Sequence, residues 1–195
     1  MNTEIEAKWL AINSADLRRA LQQAGAILVF PERLMTRCNF DYPDKRLERI
    51  GGWVRVRNEV DKITLSYKQL NDRTVYGTKE VNVVVNDFQS TCKLLEPIGL
   101  EQHSFQETMR ESWRFGDTEI EIDTWPWIPT FVEIEAKSEG QPFRVAKKLG
   151  LSRSEALHSS VEIAYQAVYD MSESEVDGWK EIRFVDTPHW LQKKG

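Results

Sequence analysis

Eight stretches of this chain alternate apolar and ionisable residues with a period of two, and that alternation limits the fold more than any other feature. They are TEIEAKWL (3–10), LMTRCNFD (34–41), GWVRVRNEV (52–60), KITLSYKQL (62–70), GTKEVNVVV (77–85), ETMRESWRF (107–115), TEIEIDTW (118–125) and FVEIEAK (131–137). In an extended strand, residues two apart share a face. Each stretch therefore has one apolar face and one charged face. Turn-forming residues separate several of them: Asn58 to Asp61, Gly116-Asp117, and the corner from Pro126 to Pro129. Eight alternating strands joined by short turns predict a closed antiparallel barrel.

Four segments have helical patterns: 13–26, 86–99, 141–150 and 152–171, the first three with capping residues or Pro and Gly at their ends. The fold class expected is α+β, an eight-stranded antiparallel barrel flanked by helices. A domain over 1–171 is followed by a C-terminal extension, 172–195, in which WKEIRFV could add a strand or clasp.

Either face of such strands could point inward. The charges are sorted by strand, however. Acids gather on the first and last two strands as Glu4, Glu6, Asp123, Glu133 and Glu135, and bases on the strands of Arg55, Arg57, Lys68 and Arg110. A solvated outer face has no need of that sorting. The helices also need an apolar sheet surface to cover. Both points favour a tunnel with a charged lumen.

The chemistry of that lumen follows from its donors. Crowded carboxylates raise one another's pKa unless a cation sits among them. The five acids offer hard oxygen ligands suited to Mg²⁺ or Mn²⁺. Lys8, Arg55, Arg57, Lys68 and Arg110 supply cations opposite, and arginine grips phosphate oxygens bidentately. A divalent metal facing such a wall describes a polyphosphate site. No GxxxxGK[ST] stretch provides a P-loop instead.

Composition narrows the setting. A net charge of −5 argues against a nucleic-acid binder that relies on a general positive field. No apolar run approaches a membrane span, and two acids among the first ten residues do not suit a signal peptide. Cys38 and Cys92 have neither paired nor CxxC spacing, so a reducing cytoplasm is expected. A homodimer is left open.

The ordered set of residues resembles the CYTH superfamily, the triphosphate tunnel metalloenzymes, which include class IV adenylyl cyclases and thiamine triphosphatases. Glu4-x-Glu6-x-Lys8 resembles the ExExK signature. The likeness continues through VRVR, the Lys68 strand, Glu80, Arg110 and EIDTWPWIPTFVEIEAK, over roughly residues 2–170. It implies a tunnel that binds a triphosphate end-on with one or two divalent metals. Glu4, Glu6, Asp123, Glu133 and Glu135 would bind metal. Lys8, Arg55, Arg57, Lys68, Arg110 and Glu80 would form the triphosphate site. Lys8 and Glu6 would carry the catalytic roles, Lys8 by positioning or activating the attacking group.

Three positions depart from the family pattern. Asn82 stands where many members have a second acid, Thr108 where many have Lys, and Asn39 where thiamine triphosphatases have Tyr. The expected function is metal-dependent hydrolysis of inorganic triphosphate or of a nucleoside or other organic triphosphate. One alternative is an adenylyl cyclase making cyclic AMP and pyrophosphate from ATP. The other is a non-catalytic polyphosphate or nucleotide sensor.

Overall fold

The computed structural model describes residues 2–3 (backbone alone), 5–71, 77–158 and 160–194. Nine strands form one continuous antiparallel path: β1 (Asn2–Thr3), β2 (Ile5–Trp9), β3 (Ile27–Asp41), β4 (Gly52–Asn58), β5 (Ile63–Leu70), β6 (Thr78–Val85), β7 (Glu101–Phe115), β8 (Thr118–Thr124) and β9 (Phe131–Ala136). Their order is β1-β6-β5-β4-β3-β7-β8-β9-β2. β1 and β2 belong to one N-terminal segment, separated by a single position. β1 pairs with β6 at one end of the sheet, and β2 with β9 at the other. With those two counted once, the curled sheet has the eight staves expected.

The period-two pattern is used as anticipated, with charged faces inward and apolar faces outward. On one side Ala7, Trp9, Trp113, Ile120, Ile122, Val132 and Ile134 are buried beneath α1 (Ser14–Ala24) and α3 (Gly140–Lys148), which contribute Leu17, Leu21, Val145 and Ala146. On another, Cys38, Phe40 and Val56 pack with Leu95 of α2 (Phe88–Leu95) and with Leu100. Burying each such aliphatic or aromatic side chain stabilises the fold by about 1.5–3 kcal/mol. Caps set where two of these helices begin. The Asn13 side chain accepts from the amides of Ala15 and Asp16, and Asp87 accepts from that of Ser90 at 2.6 Å. Gly51, at φ +71°, turns the chain into β4 so closely that a Cβ there would meet the Leu70 carbonyl.

Three expectations change. The 152–171 segment is not one helix. It makes a short 3₁₀ turn at Arg153–Glu155, and α4 is confined to Glu162–Val168. Between them Leu157 exchanges two backbone hydrogen bonds with Lys8, of 3.0 and 2.9 Å. Those bonds satisfy the outer edge of β2, which a continuing helix would leave open. Strands β3 and β7 also run further than their alternation shows, starting at Ile27 and Glu101.

The C-terminal residues add α5 (Glu173–Asp177) and β10 (Glu181–Ile182), which pairs in parallel with β7. Val176, Ile182 and Leu191 join Trp125, Ile128, Phe131, Ala164, Tyr165 and Tyr169 in a third buried cluster. Tyr165 and Tyr169 donate to the carbonyls of Pro126 and Trp127, which ties α4 to the corner between β8 and β9. Trp125 and Phe131 point to the same side of the sheet as Asp123, so this cluster plugs one end of the lumen. No helix among the described residues is long and apolar enough to cross a membrane.

Candidate active site

The lumen encloses a cavity of about 700 Å³. Its lining includes Glu6, Lys8, Arg55, Arg57, Lys68, Glu80, Arg110, Asp123, Glu133 and Glu135. Every site residue named from the sequence therefore faces one space, except Glu4, which lies outside the described residues. They converge because strand pairing aligns their inward faces: Lys8 lies opposite Glu133, Glu6 opposite Glu135, Arg110 opposite Asp123 and Lys68 opposite Glu80.

Most of these charges hold one another. Lys8 is buried with its ammonium 2.7 Å from Glu133 Oε1. Burial works against that charge, but Glu133 and Glu6 outweigh it, so the pKa of Lys8 rises and the ammonium stays protonated. Arg110 donates to both oxygens of Asp123, at 2.7 and 2.5 Å, and to Glu133 Oε2 at 2.9 Å. Glu133 is consequently held below the usual carboxylate range despite its burial, by Lys8 first and Arg110 second. On the opposite wall Glu80 lies 3.1 Å from Arg55 and 3.9 Å from Lys68. Arg57 donates to Glu59, which also accepts from the Thr64 hydroxyl.

One group of acids lacks this internal balance. Glu6, Glu135 and Glu119 follow one another across β2, β9 and β8. Burial, reinforced by Glu6 and Glu119, pushes the Glu135 carboxyl up to about 7. Among the described residues no three acids already converge as a ready metal cage. A crowded row of hard oxygen donors is nevertheless a place where a divalent cation would relieve repulsion.

Several residues of the cavity were not singled out in the sequence. Arg33 and Arg37 of β3 enter it, and so do Glu59 and Ser112. Arg33 donates to the Ser112 hydroxyl at 3.0 Å and to the Glu59 carbonyl at 3.2 Å. The signal available was LMTRCNFD itself, whose alternation puts Arg37 on the face shared with Asn39 and Asp41. Asp41 has a structural duty, accepting from the amides of Tyr42, Leu47 and Glu48 to fix the loop before β4. Glu121 also faces the lumen and accepts from Ser112 at 2.7 Å. Burial lifts its carboxyl to about 7 against the pull of Arg110.

Glu121 makes stability depend on pH with a definite sign. Its folded-state pKa is raised, so the native protein keeps a proton that the unfolded chain releases above pH 4.5. Stability therefore falls as pH rises from about 4.5 to about 7, by roughly 3 kcal/mol at most from this group. Glu135 and Asp177, both also pushed up to about 7, add slopes of the same sign. Glu121→Gln, which still accepts from Ser112, is expected to remove about a third of the decline. Urea unfolding at pH 5 and pH 8 in EDTA measures it, and an unchanged difference would exclude Glu121 as a source.

The CYTH domain model matches residues 2–163, and the chain belongs to that family. Among solved structures it is similar to a putative adenylate cyclase from Vibrio parahaemolyticus, with 16% identity over 85% of this chain and 98% of that one and a TM-score of 0.73. A conserved hypothetical protein from Pyrococcus furiosus is 21% identical over 81% of this chain and 97% of that one, with a TM-score of 0.67. A putative adenylyl cyclase from Hippeastrum, described as having a dominant triphosphatase activity, is 17% identical over 80% and 91%, with a TM-score of 0.56. At these identities the structural likeness establishes the shared fold. No curated protein matches the chain.

Proposed function

We propose that this protein is a divalent-metal-dependent triphosphatase that takes the triphosphate group of a small molecule into the tunnel. The observation that carries this reading is the wall of Lys8, Arg33, Arg37, Arg55, Arg57, Lys68 and Arg110 around one cavity of about 700 Å³. Such a volume is ordinary for a small-molecule site. So many cations in it call for a compact polyanion, and the preset ion pairs hold their side chains in place before it arrives.

Glu6 and Glu135, with Glu4, are the acids that would hold the cation. It would supply Lewis-acid polarisation of phosphate oxygens. Glu133 and Asp123 are partly occupied by Lys8 and Arg110. With phosphate oxygens on those cations, these two carboxylates would be available to help hold the metal. Arg55, Arg57, Lys68 and Arg110 orient the phosphates and offset charge that builds up as the phosphorus–oxygen bond breaks. Glu80 acts at one remove, by holding Arg55 and Lys68. Lys8 remains an ammonium, so it can donate to a phosphate oxygen or orient the attacking water, but it cannot take that water's proton.

A phosphorus NMR time course tests the reading, with Mg²⁺ or Mn²⁺ and, in separate tubes, inorganic triphosphate, ATP and thiamine triphosphate. Orthophosphate with a diphosphate product is expected in at least one tube, and Glu6→Gln should reduce its rate by two orders of magnitude or more. Cyclic AMP and pyrophosphate from ATP would instead identify a cyclase. Unchanged spectra, together with retained binding, would identify a sensor.

A further inference from the structure

Arg37 is the buried arginine of the cationic wall that lacks an acid; Arg33, also without an ion pair among the described residues, is half-buried and donates to the Ser112 hydroxyl and to the Glu59 and Arg110 carbonyls. Arg55 is matched by Glu80, Arg57 by Glu59, and Arg110 by Asp123 and Glu133. Arg37 has no acid within ion-pair distance among the described residues. It is only 7% exposed. One nitrogen, Nη2, donates to the Thr108 hydroxyl at 3.0 Å, and the guanidinium lies 4.7 Å over the Trp125 ring. Its Nε is buried with no partner.

The neighbours of Arg37 add to the cost. Arg57 lies directly opposite it across β3 and β4, an arrangement that destabilises a strand pair when both charges are alike. Asp123 attracts it, but both oxygens of Asp123 are already taken by Arg110. Burial, then Arg55, Arg57 and Arg110, push its pKa well down. A guanidinium nevertheless stays charged in a protein, so the cost is carried as buried, unpaired charge.

Its surroundings make that charge rigid. Trp125 sets the plane of the guanidinium and Thr108 fixes one of its corners. Both partners sit where the lumen meets the aromatic plug. The acid row of Glu6, Glu135 and Glu119 is displaced from this point along the strands, since β8 runs from Glu119 through Glu121 and Asp123 towards Trp125. A fixed fork without an ion-pair partner, set away from the row of Glu6, Glu135 and Glu119, is suited to phosphate oxygens. Glu162, Glu173 and Asp177 of the plug also line the cavity and favour a ligand that brings a cation with it.

We propose that Arg37 is a substrate-binding residue, which together with Arg57 forms the anion subsite at the plugged end of the tunnel. The inference rests on the polyphosphate reading above. It adds a residue from β3, beside the position where Thr108 provides no charge of its own. It also predicts two effects of opposite sign. Removing Arg37 should relieve the empty protein of an unpaired buried charge and, at the same time, weaken its grip on the ligand.

Thermal unfolding of wild type, Arg37→Met and Arg37→Lys tests this, without ligand and with excess inorganic triphosphate, in Mg²⁺ and in EDTA. Arg37→Met is expected to melt at or above the wild-type temperature without ligand. It should lose most of the triphosphate-induced shift and bind at least tenfold more weakly by calorimetry. Arg37→Lys, which keeps the charge but not the fork, should fall between the two. A lower melting temperature with an undiminished shift would overturn the proposal and make Arg37 a structural prop. Should Arg37→Met fail to fold, a full wild-type shift in Arg37→Lys would overturn the fork's role, and a reduced one would support it. If triphosphate stabilises wild type in neither condition, the polyphosphate reading itself falls, and the subsite with it. A shift in wild type that persists in full in Arg37→Met sinks only the subsite.

Discussion

Arg110→Met is expected to destabilise the protein by about 3–5 kcal/mol, the range for removing one partner of a buried ion pair. The residue left behind decides that size. Asp123 is fully buried and loses both hydrogen bonds of its bidentate partner, and Glu133 loses one of its two cations. The double variant Arg110→Met/Asp123→Asn removes the stranded charge and should recover most of the loss, which a double-mutant cycle by urea unfolding would read. Neither variant should bind triphosphate like wild type. If the single and double variants are equally unstable, the ion pair is not what sets the stability of this wall. Stable folding of the single variant would show that water reaches Asp123.

The second large effect belongs to the C-terminal residues. Ile182→Ala should cost about 2–4 kcal/mol, because Ile182 is fully buried and its truncation leaves a cavity between β7 and the aromatic cluster. Removing 172–195 altogether takes away Val176, Ile182 and Leu191 at once. It should leave a protein that unfolds at least 10 °C lower, or not cooperatively, when followed by calorimetry. Trp125 would lose cover, and with it the surface on which Arg37 rests. An unchanged unfolding temperature for the truncated chain would show that residues 172–195 are an appendage with no share in the plug.

The barrel was legible because its period is simple. Glu4-Ile5-Glu6-Ala7-Lys8 and Glu133-Ile134-Glu135-Ala136-Lys137 show the inward and outward faces directly, and the sorting of acids from bases by strand indicated which face was inward. Where β3 was missed, a local rule pointed the other way. Ile27 to Phe30 do not alternate with polar residues, and Pro31 argues against a strand. Yet β4 pairs with β3 only from Thr36 to Phe40, so Pro31 lies on an open side, and register shifts between Leu28 and Arg33 absorb the irregularity.

That same oversight hid Arg33, whereas Arg37 lay within the recognised stretch LMTRCNFD and was passed over. Their importance lies in what is absent around them, and one chain read in order does not show an unpaired charge. The 152–171 segment failed for another reason. Its helical spacing was real, but the edge of β2 competed for the backbone of Leu157, and long-range hydrogen bonds prevailed over local preference.

The split pairing of the N-terminal segment has a consequence for how the molecule assembles. Ile5 pairs with Ala136 and Asn2 with Glu80, so the strands translated first are the last to find all their neighbours. At the usual pace of synthesis that wait lasts on the order of 10 s, during which an alternating strand has two unsatisfied edges. Its row of ionisable residues discourages adhesion to other chains in the meantime. The charges that serve the finished tunnel therefore also act as a chaperone would, keeping an orphan strand soluble until the ring can close.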